Sequence, residues 1–139
     1  GYFLDVQTYE KYYLKNQTPT TPSIPHMYGL KKVLELIEKE GLENRWRRHK
    51  EMANFTRNWA LDHKQQLFTD KDALSYTLTC IKNVQNWDIE KINEQLLESG
   101  FRMDRGYGKF RYKTFRIPHM GNVYMDDLQK YLNIFEQLI

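Results

Sequence analysis

Arg116 stands in the middle of an otherwise apolar run, Thr114-Phe115-Arg116-Ile117-Pro118. Side chains along a strand alternate between faces. If Phe115 and Ile117 face a core, the guanidinium between them leaves the sheet on its other side. A guanidinium fixed on a rigid strand can receive a planar anion such as a carboxylate, through two parallel charge-assisted hydrogen bonds. The competing reading is a solvated arginine on an open sheet face, paired with a neighbouring acid. Around it, Arg102, Arg105, Lys109, Arg111 and Lys113 stand against Asp104 alone, and a second basic knot runs Arg45, Arg47, Arg48, Lys50. The formal charge of +3 is small, so the distribution matters more than the total. Local positive potential points to anionic partners: carboxylates, phosphates or nucleic acid.

Other chemistries find less support. Arg105-Gly106-Tyr107-Gly108-Lys109-Phe110-Arg111-Tyr112 partly matches the sheet motif by which RNA-recognition domains stack bases. Its first four positions and Tyr112 fit, whereas Lys109 and Phe110 depart from it. The strand that closes such a domain after its last helix is also missing, so RNA binding is the runner-up reading. His26, His49, His63 and His119 are scattered without cysteine or carboxylate at ligand spacing, and no metal site is expected. Cys80 is the lone cysteine, which excludes an internal disulfide and favours a reducing, cytoplasmic setting. Its alternating apolar surroundings predict a small buried hydrophobe. No nucleophile with an adjacent base can be assembled.

The elements that must position these groups follow from periodicity. At 139 residues the chain has the size of one ordinary domain. Its longest apolar runs are far too short to span a membrane, and no basic-then-apolar leader opens it. Residues 1–25 read as a lead-in and linker, with a short tyrosine-rich helix over 7–15 and then a proline-dense extended stretch. From 26 to 139 the pattern is that of a folded domain. Pro25 suits a first helical turn with Ser23 as cap, and Gly41 suits its end. A second helix starts near Glu43 with Trp46, Met52, Phe55 and Trp59 as its apolar positions. Strands are expected at 66–69, at 75–82 with Tyr76, Leu78 and Cys80 on one face, at 101–103 and around Arg116. Asp88 caps a helix carrying Ile89, Ile92, Leu96 and Leu97, and Gly100 closes it. Asn122 is the expected cap of the last helix, with Leu128, Tyr131, Leu132, Phe135 and Ile139 as its stripe. The sum is an α+β fold: a small antiparallel or mixed sheet of three to four strands with helices on one face.

Three motifs in order resemble the C-terminal part of class V aminotransferases, pyridoxal-phosphate enzymes of fold type I that include alanine–glyoxylate and serine–pyruvate aminotransferases. They are Thr18-Pro19-Thr20-Thr21-Pro22-Ser23-Ile24-Pro25, then Gly41-Leu42-Glu43-Asn44-Arg45-Trp46 with Arg48-His49, then Gly106-Tyr107-Gly108 with Lys113 to Arg116, Ile117, His119, Met120 and Gly121. The resemblance implies amino-group exchange between a small amino acid and a 2-oxo acid by a homodimer, with no nucleic acid or membrane partner. It implies that Arg116 grips the substrate's α-carboxylate. It also implies that Thr21, with Thr18, reaches the pyridoxal 5'-phosphate of the neighbouring subunit at its phosphate. Flanking prolines pre-order such hydroxyl donors, so little freedom remains to be lost on binding. Pro118 stands where glycine is common, and the Lys109–Tyr112 loop is bulkier and more basic than usual. The family's Schiff-base lysine is expected in a large domain before Gly1, so this stretch alone should hold cofactor weakly and be inactive. Sulfur-handling relatives are disfavoured because Cys80 sits in a strand pattern. The basic knot at Arg45–Lys50 then becomes a solvated helix face with salt links.

Overall fold

A computed structural model describes residues 1–139, which divide into two compact units, Gly1–Gly41 and Leu42–Ile139. In the first unit Asp5 caps helix α1 (Val6–Tyr13), its carboxylate accepting the Gln7 N–H at 3.2 Å. The proline-dense stretch that follows forms no helix or strand. Helix α2 (Ile24–Glu40) carries Pro25 in its first turn and ends at Gly41, whose φ of 83° lies in the region glycine tolerates best. Ser23 precedes α2 as expected, but its hydroxyl meets His26 Nδ1 at 2.5 Å and caps no backbone N–H. Met27, Leu30, Val33 and Leu34 of α2 are all exposed.

The second unit is the α+β body: a three-stranded antiparallel sheet in the order β1-β2-β3, with helices over one face. Helix α3 (Leu42–Asp62) packs on β1 (Gln66–Leu67) and β2 (Leu78–Lys82), while α4 (Ile89–Glu98) and α5 (Met125–Glu136) pack together. Strand β3 (Thr114–Pro118) pairs with β2 so that Cys80 lies opposite Arg116 and Ile81 opposite Phe115. Phe115, Ile117 and Ile81 point into a core completed by Met52, Trp59, Leu96, Leu132 and Phe135. Phe135 stacks on Phe115 at 5.7 Å and meets Trp59 edge-on at 5.1 Å, arrangements that aromatic rings favour. No helix is long and apolar enough to cross a membrane.

Several expectations of detail are corrected here. Trp46 is 64% exposed and Phe55 is also outside, because α3 buries the stripe His49, Met52, Ala53, Thr56, Trp59 and Ala60 instead. A helix of this amphipathicity places only one stripe in the core, and small or polar residues on it carry no strong sequence signal. Leu97 and Ile139 likewise lie outside. The stretch 101–103 is not a strand. Only Asp104 bridges to Arg116, and Asn93 Oδ1 takes the Met103 N–H at 3.0 Å, so a buried side chain replaces a ladder partner. Helix α5 is capped at Tyr124, whose N–H is accepted by Asp127 Oδ2 at 3.0 Å; Asn122 lies too early. Cys80 does share a face with Leu78, but that is the face opposite the core, and the thiol is half-buried. The RNA reading needs Arg105–Tyr112 as a strand. It is instead a loop holding a single 3-10 turn at Gly108–Phe110, with Tyr112 at a φ of 63°.

Candidate functional site

Strand β3 sets the site. Phe115 and Ile117, 0% and 1% exposed, anchor the strand on the core side, which drives Arg116 to the open face. There its side chain is 29% exposed and its guanidinium meets the carboxylate of Asp104 side-on, Nε to Oδ1 at 2.9 Å and Nη2 to Oδ2 at 2.5 Å. The ring of Tyr107 lies under the same guanidinium, 4.4 Å from its centre, a cation–π contact. Asp104 is thus the neighbouring acid of the competing reading, and it leaves the Nη1 end of the fork outside the pair. The Arg116 hydrogen bonds hold the Asp104 carboxyl below the usual range, and Asp104 in turn raises Arg116.

Asp104 is itself built in. Its Oδ1 also accepts the Gly106 N–H at 3.0 Å, an Asx-type turn, and its carbonyl accepts the Arg116 N–H at 3.0 Å. Gly106 needs to be glycine. Its φ is 77°, and a Cβ there would lie 2.7 Å from both the Phe110 carbonyl and the Thr114 hydroxyl. The turn opens a cleft of about 580 Å³ lined by Asp104, Tyr107, Arg102, Arg105 and Arg111. Arg105 is neutralised by an ion pair with Glu90, whereas Arg111 lies over the Tyr112 ring at 4.9 Å. Cys80, opposite Arg116, has its thiol pushed up by burial, which disfavours a thiolate nucleophile.

Two supports behind the site were not legible as such. Arg48 belongs to the basic knot, and it also reaches the loop that leaves β3. Its guanidinium donates to the carbonyls of Val123 and of Gly121 (3.1 Å) and lies over the Tyr124 ring at 4.5 Å. It therefore clamps the loop leaving β3 to α3. Arg48→Ala is expected to lower stability by about 1–2 kcal/mol, read as a shift in the denaturant midpoint, because two loop carbonyls lose a charged donor. His119, fully buried, ties the end of β3 to β2 and to the segment before it. Its Nε2 meets Thr79 Oγ1 at 2.9 Å and its Nδ1 the Tyr76 carbonyl at 3.1 Å. Burial drops its pKa to about 4.

Thr18 and Thr21 lie in the first unit and Arg116 in the second. Both threonines are exposed in the irregular stretch that contains Pro19 and Pro22. The Thr18 hydroxyl donates to the Thr20 carbonyl at 2.7 Å, so its proton is already used. Thr21 makes no such bond, and its hydroxyl fits a phosphate oxygen as a donor more readily than Thr18 does. No cluster of histidine, cysteine or carboxylate side chains could hold a metal.

No family model matches the chain. An uncharacterized aminotransferase of Methanocaldococcus jannaschii is 37% identical over 123 residues, which cover 87% of this chain and 32% of that protein. The serine–glyoxylate aminotransferase of Arabidopsis thaliana is 35% identical over 127 residues, 87% of this chain and 31% of its own length. Among solved structures, alanine–glyoxylate aminotransferase from Nostoc superposes with a TM-score of 0.75 at 27% identity, over 86% of this chain and 32% of that one. The chain thus spans about a third of the length of the curated relatives it matches. Over most of its own length, by sequence and by fold, it is similar to the C-terminal part of class V aminotransferases of the alanine–glyoxylate and serine–glyoxylate type.

Proposed function

We propose that residues 26–139 are the small domain, and residues 1–25 the lead-in and linker, of a pyridoxal-phosphate-dependent aminotransferase. The intact enzyme exchanges an amino group between a small amino acid and a 2-oxo acid. Arg116 binds the α-carboxylate of either substrate. The observation that carries this reading is the placement of its guanidinium: anchored by two core neighbours, held side-on by Asp104, with Nη1 outside that pair. A second carboxylate can take the remaining edge bidentately. Fixing the carboxylate fixes the α-carbon beside it, which is the positioning an amino-group exchange requires.

Thr21 donates its hydroxyl to the phosphate of the cofactor held by a neighbouring subunit of the homodimer, and Thr18 contributes less because its proton is committed. When bound, pyridoxal phosphate supplies the electron sink for the exchange. The lysine that anchors it belongs to a large domain, so the 139-residue chain alone is inactive. The proposed setting is cytoplasmic.

The test is direct. The complete protein with pyridoxal phosphate is given serine or alanine with glyoxylate, and glycine formation is followed; the 139-residue chain is assayed beside it. Glycine from the first and none from the second is the expected result. No amino-group transfer by the complete protein to any 2-oxo acid overturns the proposal. In the complete protein, Thr21→Val should raise the cofactor dissociation constant by about five- to tenfold, the loss of one hydroxyl–phosphate bond worth about 1 kcal/mol. Thr18→Val should change it by less than about half that factor. Equal effects at both positions would remove the distinction between them.

A further inference from the structure

The receptor role of Arg116 leaves Asp104 to be explained, since a carboxylate already occupies one side of the fork. We infer that Asp104 is a positioning residue, which orients the Arg116 guanidinium and presents its end-on edge to the substrate carboxylate. This inference rests on the carboxylate-receptor reading above.

The geometry carries it in three steps. First, the pair uses only Nε and Nη2 of the guanidinium. A guanidinium has five N–H donors in a planar fork, so Nη1 and the outer hydrogen of Nη2 remain as a second edge able to hold a carboxylate. Second, the arginine has little rotamer freedom left. Asp104 fixes the plane on one side, Tyr107 covers a face at 4.4 Å, and the strand fixes the backbone. An arginine with free rotamers would have to surrender that freedom on each binding event, which weakens affinity. Third, Asp104 is not placed as a stand-in for substrate. Its carboxylate is also tied to the Gly106 N–H, and Gly106 cannot shift freely because Phe110 and Thr114 close around its Cα. A carboxylate so held is part of the frame, while a placeholder would need room to swing aside.

The experiment uses the complete protein with Asp104→Ala, Asp104→Asn, Arg116→Ala and the Asp104→Ala/Arg116→Ala pair. KM for both substrates is measured, together with the competitive Ki of propionate, an unreactive carboxylate. Asp104→Ala is expected to raise KM and Ki by about tenfold while kcat changes by less than about twofold. Asp104→Asn, retaining one carbonyl acceptor, recovers part of that loss. In the Arg116→Ala background Asp104→Ala adds no further change in Ki, because its effect passes through Arg116. A fall in KM and Ki on removing Asp104 would mean a competing placeholder and overturn the inference. So would unchanged values, or a full additional loss in the Arg116→Ala background. If Asp104→Ala does not fold, the Asp104→Asn Ki decides, and a wild-type value overturns it. An unchanged Ki in Arg116→Ala itself removes the receptor reading; a raised Ki there with no effect of Asp104 removes this inference alone.

Discussion

Arg116→Ala in the complete protein lowers kcat/KM by about 30- to 1000-fold, equivalent to about 2–4 kcal/mol of lost transition-state stabilisation. The size follows from what is removed. A substrate carboxylate brought to this edge of β3 loses a charge-assisted bidentate partner, and such pairs are about twice as strong as neutral hydrogen bonds. Arg116→Lys restores the charge but not the fork, so it recovers only part of the loss and leaves Asp104 with a single point donor. A smaller cost falls on stability, because Asp104 is left part-buried on the open face of the sheet without its partner. At 27% exposure that cost stays near about 1 kcal/mol, since solvent screens the pair. Steady-state kinetics with both substrates, beside a melting curve, separate the two effects. Unchanged kinetics would end the assignment of Arg116 whatever the melting curve gives.

The legible part of the fold was the part written in periodicity. The alternation Phe115, Arg116, Ile117 placed the strand, the core face and the outward guanidinium together. Asp88 and Gly41 marked helix ends through local chemistry that needs no partner elsewhere. What stayed hidden depended on contacts distant in sequence. Asp104 was visible as the lone acid of a basic run, but its role needs the bridge that aligns it with Arg116, twelve residues away. Arg48 looked like one charge among several on a helix, and only the folded chain brings it to carbonyls 73 and 75 residues on. Trp46 and Phe55 misled for the opposite reason. Large apolar side chains are read as core, whereas α3 turns a stripe containing His49 and Thr56 inward. The aromatic-basic loop suggested an RNA surface because Tyr107 and Tyr112 are stacking residues. In the fold Tyr107 covers Arg116, and the loop's glycine serves the Asp104 turn.

Stability should fall as pH drops from about 6.5 towards about 4, by up to roughly 3 kcal/mol, and His119 is the cause. In the folded protein its pKa is depressed to about 4 from an ordinary 6.5, chiefly by burial, which outweighs the opposing hydrogen bond to the Tyr76 carbonyl, with the positive charge on Arg57 adding to the effect. Within that window the unfolded chain binds the proton and the folded one refuses it, so protonation favours unfolding. The contribution is fully present above pH 6.5, is lost progressively below it, and levels off beneath about 4. Each pH unit of the gap is worth about 1.4 kcal/mol. Asp104 acts in a separate range: its depressed carboxyl stabilises above the ordinary 3.8 and loses that contribution only below it. The two signs agree, but the windows do not overlap. Denaturant midpoints at about pH 7.5 and about pH 4.5 measure the His119 effect, and His119→Gln should shrink the difference between them while lowering both. The Gln amide can still donate towards the Tyr76 carbonyl or meet Thr79, yet it does not titrate. If the wild-type midpoint is flat across that interval, His119 does not bridge β3 to the β2 lead-in as a buried neutral ring. The Pro118–Gly121 turn behind Arg116 would then rest on the Arg48 clamp and on the His119 N–H donated to the Thr77 carbonyl.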